Sequence, residues 1–320
     1  MATEQITLSR GRYPWFEALF QGLIDYAGLF PPAALPLGES LANYLTYRRG
    51  ADRWILGRFV LTTAHLAALS DDALTSVSPD APLDLSLISR DPTQDFTAVV
   101  ARLASTGGRL SLGALEVTLD LERDFAAQLA AHRAPIAALE VSGAPLPVFY
   151  ELPFTEGWDT RFNALADTIA AERSATGRPV GVKLRCGGLE RHLVPEPARL
   201  AQALAVCGQR GIPNKFTAGL HHPFPRASTS RPGAVSYHGY LSVYVAAIAA
   251  RSGTVAPTSL EYVLRGGDGA PPTSAPSGVQ WCGLTLTNEA IRAARFSGTQ
   301  SFGSCSFIEP LDDARAAGWL

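Results

Sequence analysis

Lys183 and Lys215 stand about thirty residues apart in two short runs, Val182-Lys183-Leu184-Arg185-Cys186-Gly187-Gly188 and Asn214-Lys215-Phe216-Thr217-Ala218-Gly219-Leu220-His221-His222. A strand buried inside an α/β protein carries Lys or Arg on its core face only where the charge is used. Two ammonium groups crowded into one cavity lower each other's proton affinity, and loss of water lowers it further. A neutral lysine is a nucleophile toward carbonyl carbon and forms an imine. The pair therefore predicts amine chemistry, with Lys183 as nucleophile and Lys215 lowering its pKa.

Alternation along a strand decides which neighbours could assist, because successive side chains point to opposite faces. If Val182 and Leu184 meet a helix layer, Lys183 and Arg185 face a lumen; the same parity sends Lys215, Thr217 and His221 inward in the next run. Elsewhere it turns Glu116, Glu151, Asp25 and Arg58 inward. Unpaired buried charges cost several kcal/mol each, about the net stability of a whole domain if repeated. Asp25, Arg58, Glu116, Glu151, Lys183, Arg185 and Lys215 must then neutralise one another around water, metal or substrate. An inert salt-bridge network closing the core is the alternative without function.

In this reading Glu151 or Glu116 moves protons at the carbon beside the imine, and His221 is an acid/base candidate at the rim. Asp25, Arg58, Arg185 and Thr217 are candidates for substrate binding. Gly303, Ser304 and Ser306 stand where a barrel often takes phosphate on backbone N–H groups and hydroxyls, and Arg185 could clamp the same anion. A different reading gives Glu116 and Glu151 to a divalent metal such as Mg or Zn, with His221 or Asp25 completing the shell. Cys305 is read as a small buried hydrophobe, because the sequence names no base for it. Glu309 to Asp313 reads as the acidic start of a final helix.

The two lysine runs resemble class I aldolases of the deoxyribose-phosphate aldolase type, the likeness being carried by Lys183 and by Lys215-Phe216-Thr217-Ala218-Gly219. That resemblance implies a barrel whose strand-six lysine forms the imine while the strand-seven lysine tunes it. The chain departs from the pattern at Leu184-Arg185-Cys186, where those enzymes carry small hydroxyl residues. The runs Asp25 to Pro32, Lys215 to Pro223 and Ser301 to Phe307 together also resemble a bacterial barrel family to which no activity is attached. The resulting expectation is a lyase acting on a small anionic carbonyl compound, such as a sugar phosphate or keto acid, without a cofactor. A metal-dependent lyase or isomerase and a non-catalytic small-acid-binding barrel are the alternatives.

Eight apolar runs are expected to be the strands that carry these residues: Leu23–Phe30, Arg58–Thr62, Leu83–Ser89, Ser111–Thr118, Leu146–Leu152, Val180–Arg185, Asn214–Leu220 and Ser301–Phe307. Helical periodicity falls between them, at Gly38–Arg48, Thr93–Ser105, Glu122–His132, Thr160–Thr176, Glu196–Arg210 and Gly239–Arg251, with Gly177, Gly211 and Gly253 as caps. This alternation predicts a single α/β domain over 1–320, a TIM-type (β/α)8 barrel. No Gly-x-Gly-x-x-Gly follows the first strand to favour a doubly wound nucleotide fold. About eighty residues separate the last two strands, so 254–290 is expected to be a loop or hairpin lying over the barrel mouth, with Val279–Thr287 as the hairpin.

Bulk properties narrow the partners. The 320 residues are 47% hydrophobic and 18% charged with a formal net charge of −2, which argues against a nucleic-acid-coating or disordered chain. Four cysteines without a two-residue spacing, no signal pattern and no run long enough to span a bilayer point to a reducing cytoplasm and no membrane partner. Self-association into a homo-oligomer is left open.

Overall fold

A computed structural model describes residues 10–89, 96–140, 143–153, 157–228 and 235–320. The strands are β1 (Ile24–Tyr26), β2 (Leu56–Thr62), β3 (Leu83–Ser89), β4 (Leu110–Thr118), β5 (Val148–Glu151), β6 (Val180–Arg185), β7 (Asn214–Thr217), β8 (Arg226–Ser228), β9 (Val235–Tyr237), β10 (Thr273–Ala275), β11 (Gly278–Trp281), β12 (Leu284–Thr287) and β13 (Thr299–Ser304). β1 to β7 and β13 close into an eight-stranded parallel barrel in the order β1-β13-β7-β6-β5-β4-β3-β2. Helices alternate with the strands, which makes this the (β/α)8 barrel expected from the pattern.

The chemistry of each strand explains its orientation. In β3, Leu83, Leu85 and Leu87 are fully buried, as the helix-facing set of a barrel strand requires, while Asp84 and Ser86 take the opposite parity. In β6, Val182 and Leu184 join the apolar core around the barrel, leaving Lys183 and Arg185 to the lumen. Helix 240–250 is apolar on every side, and all of its residues are buried. Helix 257–264 and β12 cover it as an outer layer.

Several boundaries move for local reasons. β1 is shorter than its apolar run because the Phe30 N–H turns back to the Ala27 carbonyl at 3.0 Å, ahead of Pro31 and Pro32. β7 stops at Thr217 because Ala218 and Gly219 both adopt positive φ, 62° and 73°. The fifth helix begins at Phe125, where the Asp124 carboxylate accepts from the Ala127 N–H at 2.7 Å, and runs to Leu139. The helix expected from Thr93 is seen over Thr97–Ser105; residues 93–95 lie outside the described residues. Gly177, Gly211 and Gly253 are all left-handed, as caps require.

The long excursion corrects one expectation. None of residues 254–290 lines the cavity at the mouth. They form helix 257–264 and the antiparallel sheet β10-β11-β12 on the flank of the barrel. The Trp15 indole N–H donates to Ser274 Oγ at 3.0 Å, and Trp281 packs edge-on to Phe224 with ring centroids 5.4 Å apart. The expected 279–287 hairpin is present as β11 and β12. Residues from β8 and β9 border the mouth instead. Among the described residues no helix is long and apolar enough to cross a membrane.

Helix 197–209 crosses helix 240–250 so closely that a β-carbon at Gly208 would overlap the Ala250 carbonyl group. Gly208→Ala must push the two helices apart, and urea unfolding should show a loss of about 1–3 kcal/mol.

Candidate active site

The register of the barrel sets the charges side by side. Lys183 pairs with Lys215 across β6 and β7, Glu151 pairs with Lys183 across β5 and β6, and Arg185 pairs with Thr217. Like charges on neighbouring strands repel, so carboxylates must intervene. Lys183 Nζ lies 2.8 Å from Glu116 Oε2 and 2.8 Å from Glu151 Oε2. Lys215 Nζ is 3.3 Å from Glu116 Oε1, 3.2 Å from Ser301 Oγ, and ion-paired with Asp25.

The remaining hydrogen bonds extend this core in both directions. Ser86 Oγ donates to Glu116 Oε1 at 2.5 Å, Ser301 Oγ to Asp25 Oδ2 at 2.6 Å, and the Arg58 N–H to Asp25 Oδ1 at 2.7 Å. Towards the rim, Arg185 Nε donates to Glu151 Oε1 at 3.1 Å. At the other end Arg58 Nε stands 3.2 Å from Asp84 Oδ2, though not aligned for a hydrogen bond. Three carboxylates (Asp25, Glu116, Glu151) thus alternate with three cations (Lys215, Lys183, Arg185) through the lumen, and the Arg58–Asp84 pair at the N-terminal end joins them only through the Arg58 backbone N–H. The lysine side chains are 5% and 1% exposed and Asp25 is 0% exposed, whereas Arg185 is 30% exposed.

This geometry reverses the electrostatics expected of the lysine pair. Burial alone would lower the Lys183 pKa, but the Glu116 and Glu151 carboxylates, both in hydrogen-bond contact, hold it above the ordinary lysine range. Burial alone would raise Glu116, but Lys183 and Lys215 bring it from 4.5 to about 2. Glu151 is held below its usual range in the same way, against burial, by Lys183 and then Arg185. The shared Glu116 carboxylate stands between the two lysines, and Lys183 is raised on balance rather than depressed. Asp84, by contrast, is raised by burial, with Arg58 opposing.

Asp25, Glu116, Glu151, Lys183, Arg185 and Lys215 are brought together as the alternation predicts. Thr217 and Gly303 are in register with one another beside them, Gly303 also pairing with Asp25. Three placements differ from the simple parity reading. Arg58 turns to the N-terminal end of the barrel, where with Arg48, Arg49 and Arg53 it lines a cavity of about 720 Å³. Ser304 and Ser306 are engaged within their own chain segment: Ser304 Oγ donates to the Ser306 carbonyl at 2.7 Å, and Ser306 Oγ accepts from the Glu309 N–H at 3.1 Å, opening the last helix, while Ser306 also lines the rim cavity. His221 is the third, since the left-handed turn at Ala218 and Gly219 breaks its parity with Lys215.

His221 sits instead in a rim cavity of about 540 Å³, with Nδ1 3.0 Å from Glu309 Oε2 and Nε2 3.9 Å from Cys305 Sγ. The metal reading loses His221 by this displacement, and Asp25, Glu116 and Glu151 already face ammonium groups. Among the described residues no cluster of three His, Cys, Asp or Glu is disposed to hold a metal ion. The rim turn is tight: a β-carbon on Gly187 would stand 2.7 Å from the Gly219 Cα, so only glycines let the β6 and β7 loops cross there.

Sequence reasoning missed Ser86, Asp84 and Ser301. The signal existed, since Asp84 and Ser86 alternate with the leucines of β3 and Ser301 lies two residues before Gly303. The chain matches no protein-family model and no curated protein.

Lys215→Met should leave the buried Asp25 without an ammonium partner and Glu116 with Lys183 as its one remaining cation, and cost about 3–5 kcal/mol in urea unfolding at pH 7. In the parent protein the depressed Glu116 contributes stability in full above pH 4.5 and loses it as pH falls to about 2. In the variant the deficit should instead shrink on acidification, because protonation removes the stranded charge. An unchanged deficit between neutral and acidic pH would sink this account of the lumen.

Proposed function

We propose that the chain is a barrel lyase that forms an imine between Lys183 and a small anionic carbonyl compound, a sugar phosphate or a keto acid. The observation that carries this reading is the order of groups from core to rim: Lys183, then Glu151, then the part-exposed Arg185. An anion arriving at the rim competes for the Arg185 guanidinium. Glu151 then loses one of the two cations that hold it ionised, and its basicity rises beside the Lys183 ammonium. Proton transfer from Lys183 to Glu151 leaves an amine that attacks the carbonyl carbon. The same carboxyl returns the proton to the departing hydroxyl as the imine forms and water leaves.

A lumen carboxylate takes the proton of the substrate hydroxyl as the carbon–carbon bond beside the imine carbon breaks; the far fragment departs as an aldehyde, the bond's electron pair enters the iminium to give an enamine, the same carboxyl returns that proton to the carbon, and water hydrolyses the imine to release the second product. Glu116 suits the fixed electrostatic part, since Lys183 and Lys215 both hold it charged. Lys215 keeps Glu116 and Asp25 in place. The resemblance of the lysine runs to deoxyribose-phosphate-type aldolases supports the same assignment of Lys183. The resting enzyme has a charged lysine, and substrate triggers its activation.

Borohydride reduction in the presence of aldehydes, keto acids and sugar phosphates should add the mass of the reduced adduct to the peptide carrying Lys183, and Lys183→Met should abolish it. Because the carboxylates hold Lys183 charged, its neutral fraction keeps rising with pH through the ordinary lysine range, and the trapping rate should climb from pH 6 to 9 without a plateau. Label confined to Lys215 would reassign the nucleophile. No adduct with any of these carbonyl classes would remove the proposal.

A further inference from the structure

The rim cavity holds chemistry that the lysines do not use. Cys305, His221 and Glu309 come from three separate places: the residue after β13, the loop after β7 and the first turn of the last helix. With the proton of His221 on Nδ1 and donated to Glu309 Oε2 at 3.0 Å, Nε2 presents its lone pair to the Cys305 thiol, 3.9 Å away. This is the order nucleophile, base, orienting carboxylate that activates a weak nucleophile. All three line the 540 Å³ cavity beside the apolar surfaces of Pro31, Pro32 and Leu189. The cavity lies at the C-terminal ends of the strands, the face on which barrels do their chemistry.

We infer that Cys305 is a second nucleophile of this protein, activated by His221 as general base, and that it takes the acyl group of a small ester or thioester bound in the rim cavity. Burial pushes the Cys305 thiol up, so it rests protonated and needs the base at the moment of attack. Cys305 Sγ adds to the acyl carbon while its proton passes to His221 Nε2. The bond from that carbon to the leaving oxygen or sulfur breaks, the electron pair departs with the leaving group, and His221 protonates it. Water, deprotonated by His221, then cleaves the thioester to acid and free thiol. Glu309 is a positioning residue that holds the imidazole with Nε2 towards the sulfur. None of these steps uses Lys183, so this centre stands apart from imine formation.

The test is 4-nitrophenyl acetate with the full-length chain, reading nitrophenolate release by stopped flow and the acetylated residue by mass spectrometry. A burst of about one nitrophenolate per chain is expected, with the acetyl group on Cys305 and not on Cys282, which is also part-exposed. Cys305→Ala should lose the burst. His221→Ala, with an unchanged unfolding temperature, should acetylate Cys305 at least about a hundredfold more slowly. Glu309→Gln should lower the acylation rate at saturating ester without raising the ester concentration needed for half-maximal rate. Acetylation only at lysines, or equal Cys305 acetylation rates in the parent and His221→Ala, would overturn the proposal. Borohydride trapping at Lys183 reads the lumen separately, so the two ideas fail independently.

Discussion

Glu116 stands between two buried ammonium groups, and the rest of the lumen is arranged around that contact. The register that sets Lys183 opposite Lys215 would by itself place like charges on adjacent strands in a water-poor core. Glu116 gives one oxygen to each lysine, Glu151 completes Lys183, and Asp25 with Ser301 completes Lys215. Removing any one member strands a charge, so the network is held together by the penalty for breaking it as much as by its attractions.

The same contact sets the resting state of the candidate nucleophile. Two lysines in one cavity suggest mutual depression, yet interleaved carboxylates reverse the sign and keep Lys183 charged. Chemistry at that amine then depends on something that loosens Glu151, and the only handle in the network that reaches the rim among the described residues is Arg185. In the proposed reaction, substrate charge would be coupled to lysine reactivity through this single guanidinium.

Above the lumen the rim is built from different physics. Ala218 and Gly219 turn left-handed, a strain of about 1–3 kcal/mol for a non-glycine residue, and the Gly187–Gly219 crossing lets two loops pass at backbone distance. The turn carries His221 out of the β7 parity and over to Cys305 and Glu309. Two clusters of groups are thereby kept apart: a buried ionic ladder inside the barrel and a half-open thiol-imidazole pair at its edge.

Alternation of apolar and charged residues was enough to place Asp25, Glu116, Glu151, Lys183, Arg185 and Lys215 in one lumen, because a strand has only two faces and the leucines and valines claim one of them. The eight strands and the three glycine caps were legible for the same reason: period and φ are local properties of the chain. Which end of the lumen Arg58 reaches was not legible. Neither were the sign of the Lys183 shift, the flank position of 254–290 or the base beside Cys305. Each depends on distances between residues far apart in sequence, and only closing the barrel sets those distances. The chain by itself decided which side chains would be buried with charge; the fold decided which of them touch.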